Sequence, residues 1–519
     1  MRTHNSSMLL HLFTLFFAVY MLTSSVISLN LFDVSIMRLE VLESVFDRLD
    51  LNIRAGLGVV GVDGRDYSWF GLGSVLLSLP FYALARAIGM PPNVLLSILN
   101  PMFSAATAVL ICLFCLSIGY AKRPSAYTSM IYGFGTMAWY YSKDPGDHSF
   151  ETFFILLSTF FMYTFIRSKQ SNRIVLSGLN LGIACLVRPT SFMFALPLML
   201  MVTVSCAKEN GLSSHKFIAR CAVILLFSLL PFLIVFLWYN NYRFGSIFES
   251  GYSLIASRAG VSLFHGTSIF TGLLGLLVSP GKGFFFYSPI ALLFFISFRS
   301  FFCKHLELGV CFLSTMIIYV LFFAKYLYWH GDWAWGPRFL FVLTPFLVIP
   351  VVDFFESKLW LENCSAKKAV LVLLLLSLVV QVISVSVNPY RYFVIIETEK
   401  NVRFTVDKGV GAPPVKEPVI STYFDWRLSP ILVQGETLYK TILAMPTGSI
   451  AKAFSSIDAT EEIDKLLHIN CLDFWWYYTH YLDDNWLILM VVPLLLLIAF
   501  VAACKLKTIC APPSIQLEI

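Results

Sequence analysis

A polytopic bundle of membrane-spanning helices is the fold class that the sequence predicts. Of its 519 residues, 58% are hydrophobic and only 13% are charged, which excludes an ordinary soluble globular protein. Apolar runs of about 17–25 residues recur along the chain, as a hydrocarbon core of about 30 Å demands of a helix. Because lipid offers no hydrogen-bond partners, each run must satisfy its backbone groups within a helix. The net charge of +6 is spread over loops, so no basic block indicates nucleic-acid binding.

About twelve apolar segments are predicted to span the membrane. They are Met8–Leu29, Val94–Gly119, Ser125–Ser142, Phe150–Arg167, Ile174–Val187, Thr190–Cys206, Phe217–Tyr239, Phe284–Phe298, Leu306–Tyr326, Phe339–Phe355, Ala369–Val387 and Trp486–Cys504. The first is interpreted as an uncleaved span, because its apolar run is long for a secretory signal peptide and lacks a clear cleavage site.

Lysine and arginine set the predicted orientation. Two further apolar segments, Phe70–Ala87 and Thr267–Val278, are ambiguous by length. If neither spans, the short basic loops fall on one side with both termini, as the positive-inside rule requires. We therefore predict that both segments lie in the interface or re-enter the membrane, and that the N- and C-termini are cytoplasmic.

The first extracytoplasmic loop, residues 31–93, carries many charges between apolar neighbours. Within it, Ile36, Leu39 and Leu42 recur at near-helical spacing and Arg38 takes another face, which predicts an amphipathic helix at the membrane surface. Asp33 follows the first span by a few residues, near the boundary between polar and apolar surroundings. A carboxylate there is a candidate general base. The plain alternative is a solvated acid that ends a helix, and position alone favours it.

The motif KDPGDH places Lys143, Asp144, Asp147 and His148 within six residues, directly between two spans. These groups suit hydroxyl binding, and carboxylates with a histidine are also metal ligands. Their spacing matches no specific metal pattern, so no metal ligand is assigned and a divalent metal is left open. Turn formation at Pro145-Gly146 is the structural alternative.

Three cationic residues are predicted to lie at the extracytoplasmic boundary of the membrane. Arg188 lies between two short apolar segments, where an unpaired charge costs about 2.5–3.5 kcal/mol, so a partner is expected. Lys282 lies in the turn SPGKG, whose glycines would let the backbone approach an anion, and Arg338 closes WHGDWAWGPR. Together they suit a phosphate-bearing ligand. For each one alone, snorkelling at a helix end is the better explanation.

The aromatic residues of YLYWHGDWAW fit the interfacial aromatic belt of a membrane protein. His330 and Asp332 within that belt do not, and polar groups among aromatic faces suggest a sugar-binding surface. Residues 1–387 are predicted to form the transmembrane catalytic region. Residues 388–485 would form a loosely built extracytoplasmic segment, and residues 486–519 the last span with a cytoplasmic tail.

Seven motifs in order carry a family resemblance. They are FDVSIMRLE, GRDYSWFGLGSVLLSLPFYAL, GDHSFETFFILL, GLNLGIACLVRPTS, YNNYRFGSIFESGY, GLLGLLVSPGKGFFFYSPI and WHGDWAWGPRFLFVLTPFL. This order resembles prokaryotic GT-C glycosyltransferases, in particular the protein-mannosyltransferase-like group that includes lipid A aminoarabinose transferases. The resemblance runs from the N-terminus to about Leu347, and weakly to YFDWRLSPI. It implies an all-α GT-C bundle in a prokaryotic cell membrane, with an extracytoplasmic active site.

The resemblance also implies roles. Asp33 would be the general base on the acceptor hydroxyl, and Arg188, Lys282 and Arg338 would hold the phosphate of a polyprenyl-phosphate sugar donor. The remaining predicted substrate-binding residues are Arg65, Asp147, His148, His330 and Asp332. The first acid stands alone in LFDVS, without a second acid beside it, which puts a two-acid site there in doubt.

The predicted function is therefore transfer of a sugar from a polyprenyl-phosphate donor to a lipid, glycan or protein acceptor. A secondary transporter is the main rival, since about twelve spans with both termini on one side suit that class too. Against it, no repeat relates the two halves and the charges gather at one face. An acyl- or phosphotransferase acting on envelope lipids shares most of the site chemistry and stays an alternative.

Overall fold

The computed structural model describes residues 2–25, 33–210, 215–258, 260, 262–265, 267–331, 334–402, 404–406, 416–457, 463–482 and 487–510. In the first half of the chain the helices are α1 (Arg2–Leu22), α2 (Asp33–Arg48), α3 (Gly73–Ala87), α4 (Pro92–Leu96), α5 (Leu99–Ser117), α6 (Lys122–Gly135), α7 (Ala138–Lys143), α8 (His148–Ser168), α9 (Ser171–Val187), α10 (Ala195–Asn210) and α11 (His215–Phe244).

The later helices are α12 (Tyr252–Arg258), α13 (Ile269–Val278), α14 (Phe284–Tyr287), α15 (Leu293–Lys304), α16 (Leu306–Lys325), α17 (Thr344–Val348), α18 (Val351–Glu356), α19 (Lys358–Glu362), α20 (Cys364–Ser386), α21 (Pro389–Thr398), α22 (Pro430–Ala444), α23 (Ser449–Ser455), α24 (Ile463–His468), α25 (Trp475–Leu482) and α26 (Leu487–Ile509). Short 3-10 helices are Pro189–Phe194, Pro289–Leu292, Arg338–Leu343, Ile420–Phe424, Trp426–Leu428 and Met445–Thr447.

Within the described residues, two small antiparallel sheets accompany the helices. Strands β1 (Asn52–Ile53), β2 (Val59–Val60) and β3 (Asp66–Tyr67) form one sheet in the order β1-β3-β2. Strands β4 (Phe404–Val406) and β5 (Lys416–Pro418) pair in the other.

Eight helical segments of the described chain are long and apolar enough to cross a membrane. They are Pro92–Ser117, His148–Ser168, Pro189–Lys208, His215–Phe244, Leu306–Lys325, Arg338–Glu356, Cys364–Ser386 and Met490–Ile509. Each overlaps a predicted span, which confirms an integral membrane protein built mainly from helices.

The remaining four predicted spans are shorter or interrupted. The first and the fifth are apolar helices of fewer residues, Ser6–Leu22 and Ser171–Val187. The predicted span Ser125–Ser142 breaks between α6 and α7, and Phe284–Phe298 breaks where α14 gives way to a 3-10 helix at Pro289. The count of about twelve spans therefore stays a prediction.

The two terminal helices lie side by side. Sγ of Cys510, directly after α26, lies 3.9 Å from Sδ of Met8 in α1, so the beginning of α1 and the end of α26 share one end of the bundle. At the opposite end of α1, the Trp475 indole donates a 2.8 Å hydrogen bond to the carbonyl of Met21. The Trp476 indole donates one of the same length to the carbonyl of Leu22. Which end is cytoplasmic stays a prediction.

Helices α2 and α3 form a platform at the end of the bundle. The rings of Phe46 and Tyr82 meet edge to face at 5.6 Å, and Arg86 pairs with Asp47 at 3.1 Å. The amphipathic helix predicted after the first span is thus present. It ends at Arg48, and Leu49 just beyond it is 91% exposed.

Candidate active site

The KDPGDH loop between α7 and α8 is folded around its own carbonyl groups. The Asp144 side chain accepts a 2.8 Å hydrogen bond from the backbone N–H of Gly146, a contact that favours aspartate in turns. From α5, the Asn100 amide donates to the carbonyl of Gly146 at 2.9 Å and also to that of Asp144. The loop is held in place, and Asp147 and His148 are buried with it.

Lys143, the last residue of α7, forms a buried ion pair with Asp473. Nζ lies 2.7 Å from Oδ2, and the two side chains are 1% and 0% exposed. Nζ also donates to the carbonyl of Val385 at 2.7 Å, while Oδ1 of Asp473 accepts from the Ser25 hydroxyl at 2.6 Å. Burial acts to raise the pKa of Asp473, but the Lys143 ammonium holds that pKa below its usual range. The pair joins the ends of α1 and α20 to the KDPGDH loop.

Arg38 of α2 reaches the same loop from the platform. Its Nη2 lies 3.4 Å from Oδ1 of Asp147, and it donates to the carbonyl of Pro145. Burial acts to raise the pKa of Asp147, against the opposing charges of Arg38 and Arg188. The expectation that Arg38 belongs to the wet face of α2 is wrong. It is 7% exposed, because a carboxylate and a carbonyl of the loop compensate its burial.

Arg188 meets His148 and Glu151, which both lie in the first turn of α8. Nη1 of Arg188 lies 2.8 Å from Nδ1 of His148, and Nε lies 3.5 Å from Oε2 of Glu151. The Ser191 hydroxyl donates to the other carboxylate oxygen of Glu151 at 3.0 Å. Arginine can only donate, so Nδ1 of His148 is the acceptor in this arrangement. The partner that the sequence required for Arg188 is therefore Glu151.

Local sequence explains why Arg188 projects from this point. Pro189 disfavours helical backbone at the residue before it, so α9 ends at Val187 and Arg188 is extended (φ −142°, ψ 120°). The α2–α3 platform packs onto the last residues of α9 through two glycines of FGLGS. A Cβ at Gly71 would lie 2.3 Å from the carbonyl oxygen of Leu186, and one at Gly73 would lie 2.4 Å from the nitrogen of Val187. Only glycine permits this close approach.

Arg338 joins the cluster through a shared aromatic ring. The guanidinium carbons of Arg188 and Arg338 lie 5.4 Å and 5.0 Å from the centre of the Phe339 ring. Gly331, at φ +66°, makes room for Arg338, since a Cβ there would lie 2.7 Å from the Cγ of Arg338. Arg338 also lowers the pKa of Asp144, against the larger effect of burial. Two arginines and the buried acids therefore face one region.

Lys282 and His330 lie against Tyr423, which precedes α22. Nζ of Lys282 donates to the carbonyl of Ala334 at 2.6 Å and lies 5.7 Å from the Tyr423 ring centre. The His330 and Tyr423 rings stack at 4.9 Å. The SPGKG backbone does not present Gly281 to an anion as the sequence suggested, because the N–H of Gly281 donates to the carbonyl of Tyr423 at 2.9 Å.

The other predicted site residues are placed differently. Arg65 is 50% exposed and pairs with Asp63 at 2.7 Å and with Asp50, beside the β1-β3-β2 sheet. Among the described residues, no contact joins Arg65 to Arg188 or Arg338. Asp33 is the first residue of α2, but its side chain lies outside the description, and Asp332 lies outside the described residues altogether.

A small open pocket lies where α1 ends and α2 begins, next to Asp33 in the chain. Its polar lining includes Ser25, Ser35, Arg38, Asn100 and Lys143. Hydroxyl, amide and cationic groups of this kind suit a hydroxylated or anionic group.

Three residues of the described cluster were not predicted as site residues from the sequence. Arg38 was assigned to solvent, Glu151 was hidden within a span, and Phe339 belonged to an unremarkable apolar run. A single signal pointed to Glu151: an acid at membrane depth is itself a mark of function or pairing. As to metals, the described residues contain no group of three or more His, Cys, Asp or Glu side chains able to hold an ion.

Asp144 should make the stability of the protein depend on pH. Burial raises the pKa of Asp144 to about 6, from an ordinary value of 3.8. Because the folded state holds this proton more tightly, the contribution of Asp144 to stability falls as pH rises from about 4 to about 6 and is constant above. We expect Asp144→Asn to be more stable than the native chain by about 2–3 kcal/mol at pH 7.5, and this advantage to vanish near pH 4.

Thermal unfolding of both proteins across that pH range measures this difference. Asp47→Asn, at an exposed acid of α2 that pairs with Arg86, is the matched control. An advantage of Asp144→Asn that is the same at every pH would contradict the assignment.

No family model matches the chain, and a search of curated proteins finds no match either. Solved structures do match. AglB oligosaccharyltransferase from Archaeoglobus fulgidus, in complex with an inhibitory peptide and a dolichol-phosphate, aligns with a TM-score of 0.50 and 10% identity over 82% of this chain. The apo form of the same oligosaccharyltransferase aligns with a TM-score of 0.50 and 10% identity over 83% of this chain. The chain has the fold of GT-C glycosyltransferases.

The resemblance drawn from the seven motifs is thereby confirmed at the level of the fold. The chain spans 63% of the length of that oligosaccharyltransferase. A structure of ArnT from Cupriavidus metallidurans bound to undecaprenyl phosphate aligns over 93% of this chain and 86% of that chain, with a TM-score of 0.47 and 12% identity.

Proposed function

We propose that the protein is a membrane glycosyltransferase that takes a sugar from a polyprenyl-phosphate donor. The observation that carries this proposal is the convergence of Arg188 and Arg338 on the Phe339 ring, beside the buried KDPGDH loop. Two guanidinium groups at one boundary suit the oxygens of a phosphate. The shared fold supports this donor class, since the A. fulgidus oligosaccharyltransferase was solved in complex with a dolichol-phosphate.

In this reaction the arginines would act on the leaving group. As the glycosidic bond to the phosphate breaks, negative charge develops on the phosphate oxygens. Preorganised cations in a site with little water stabilise that charge and lower the barrier. Glu151 holds the Arg188 guanidinium in place through the 3.5 Å ion pair, so the cation need not reorganise during the reaction. Lys282 stays a proposed third phosphate ligand.

Asp33 is the proposed general base, which would take the proton of the acceptor hydroxyl as the oxygen attacks the sugar. The open pocket beside the start of α2 offers space for that hydroxyl. Asp147, His148, His330, Asp332 and Arg65 are proposed to bind donor or acceptor. The acceptor is proposed to be a lipid, a glycan or a protein, and the sugar a hexose or pentose.

The reaction is proposed to occur on the extracytoplasmic side of a prokaryotic cell membrane. The support is the positive-inside distribution of the short loops, which places both termini in the cytoplasm. The beginning of α1 and the end of α26 do share one end of the bundle, and the ion pair of Lys143 lies toward the other end of α1, beside Ser25.

Asp33→Asn is expected to reduce sugar transfer by about 10²–10⁴-fold while donor binding is retained, since the amide cannot accept the proton. Transfer from a labelled polyprenyl-phosphate sugar by the purified, reconstituted chain measures this. Asp47→Asn, on an exposed turn of the same helix, is the control and should stay active.

Full activity of Asp33→Asn would sink the assignment of the base. Substrate uptake into vesicles without any sugar transfer would instead favour a secondary transporter. Transfer of a labelled acyl or phosphoryl group would favour the third alternative.

A further inference from the structure

Helix α22 buries polar side chains and exposes apolar ones, which is the reverse of the pattern expected for a helix on a water-exposed surface. The side chains that face the protein include Gln434, Thr437 and Thr441, which are 1%, 3% and 0% exposed. On the outer face, Leu432 and Ile442 are 55% and 53% exposed. In water, burial of the apolar face would be the favoured arrangement. The distribution therefore indicates an apolar environment outside the helix.

The buried threonines of α22 have no need of water. The Thr437 hydroxyl donates to the carbonyl of Val433, and the Thr441 hydroxyl donates to the carbonyl of Thr437, each at 2.9 Å within the same helix. Such back-bonding satisfies hydroxyl groups in apolar surroundings. The two threonine hydroxyls are thus satisfied within the helix, and the exposed apolar face remains to be explained.

Charged residues occupy one edge of α22 only. Glu436 and Lys440 pair with each other at 3.1 Å, and they lie 3.9 Å and 3.7 Å from Lys400 and Glu399 beyond the end of α21. On the helical wheel, this pair flanks one side of Leu432, and the rest of the outer arc is apolar. A single charged edge beside an apolar arc is the pattern of a helix that lies in a membrane interface.

The apolar face of α22 continues the lipid-facing surface of a membrane span. Gly435 packs against Ile383 near the end of α20, where a Cβ would lie 3.4 Å from the Cδ1 atom. Helix α20 belongs to a candidate span, and its exposed large apolar side chains are Leu371, Val372, Leu375, Leu376, Val379 and Val382. Just before α22, Phe424 and Trp426 are 38% and 54% exposed, and such aromatic residues are typical of the membrane boundary.

We propose that α22 and the preceding turn from Val419 to Leu428 are embedded in one lipid leaflet, at the end of the bundle that carries the candidate active site. The occupant of the exposed face is the acyl-chain region of the bilayer. The Ser429 hydroxyl at the start of α22 donates to the carbonyl of Pro280 at 2.9 Å, in the turn that carries Lys282. The embedded helix would therefore hold the Lys282 turn at the level of the membrane surface. Part of the segment expected to be a loose extracytoplasmic cap is thus a membrane element.

Spin labels on the full chain in lipid nanodiscs test this proposal. The exposed or half-buried cysteines Cys303, Cys364, Cys504 and Cys510 are first replaced by serine. Single labels are then placed by Ile442→Cys, on the apolar arc, and by Lys440→Cys, on the charged edge of the same helix. A label at Leu376→Cys on α20 is the lipid-exposed reference. Relaxation by oxygen, which concentrates in lipid, is compared with relaxation by a water-soluble nickel complex.

The label at Ile442→Cys should be several-fold more accessible to oxygen than to the nickel complex, as at Leu376→Cys, and Lys440→Cys should show the reverse order. Equal accessibility of Ile442→Cys and Lys440→Cys to the nickel complex would overturn the proposal. So would an Ile442→Cys label that neither agent reaches, because that result would place a second protein surface over the face.

Discussion

Asp473→Asn is expected to destabilise the protein by about 3–5 kcal/mol, because it leaves the Lys143 ammonium buried without its carboxylate. The ion pair is 2.7 Å long and closed to solvent on both sides. Breaking one partner of such a pair costs far more than the pair itself contributes. The same variant weakens the contact of Oδ1 with Ser25, at the end of α1.

Thermal unfolding in a fixed lipid or detergent environment measures the loss. The double variant Lys143→Met/Asp473→Leu removes both charges and should recover most of the stability. Glu436→Gln breaks an exposed pair and is the matched control, with an expected cost below about 1 kcal/mol. A double variant no more stable than Asp473→Asn would contradict the buried-charge explanation.

The Asp473 contribution also has a defined pH window. Its pKa is held below the ordinary value in the folded state, so the stabilisation is present above the ordinary pKa of an aspartate and is lost as pH falls through the depressed value. The difference between the native chain and the double variant should therefore shrink under acid conditions.

Arg188→Gln is expected to lower sugar transfer by about 10²–10³-fold, because it removes a cation proposed to bear the charge of the leaving phosphate. Since the interaction strengthens as charge develops, kcat should fall more than donor affinity. Steady-state kinetics with a labelled polyprenyl-phosphate donor separate the two parameters. Arg54→Gln, at an arginine that is 74% exposed and paired with Glu40, is the control and should keep its activity.

Glu151 complicates the reading of Arg188→Gln, because that variant leaves a buried carboxylate unpaired. The double variant Arg188→Gln/Glu151→Gln removes this charge and should recover stability without recovering transfer. Glu151→Gln alone keeps the cation but frees its orientation, so we expect a smaller fall in kcat. Recovery of transfer in the double variant would show that Arg188 is structural and would contradict its proposed role.

Local pattern was sufficient for much of the architecture. Length and hydropathy located the eight long spans, since a membrane helix must satisfy its backbone within one continuous segment. Near-helical spacing predicted the α2 helix. The glycines of GLGS lie where the start of α3 packs directly against the backbone of Leu186 and Val187. The GT-C resemblance rested on motif order and is confirmed for the fold.

Contacts between residues that are distant in sequence could not be predicted from local pattern. Lys143 and Asp473 are 330 residues apart, and no periodicity relates them. Arg38 was assigned to water because charge on an amphipathic helix usually faces solvent, but its neighbours turned out to be Asp147 and Pro145. Such pairings depend on how the helices are arranged in space, and the energy that permits burial comes from the partner and not from the residue itself.

By itself, the sequence determined that this is a helical membrane protein with a charged, aromatic boundary, because hydropathy and backbone satisfaction act on each segment separately. Only the tertiary structure decided that Arg188 and Arg338 share the Phe339 ring, that the KDPGDH loop is tied to Asp473, and that α22 exposes Leu432 and Ile442. Those features exist only where distant segments meet, since each depends on a neighbour that local sequence does not specify.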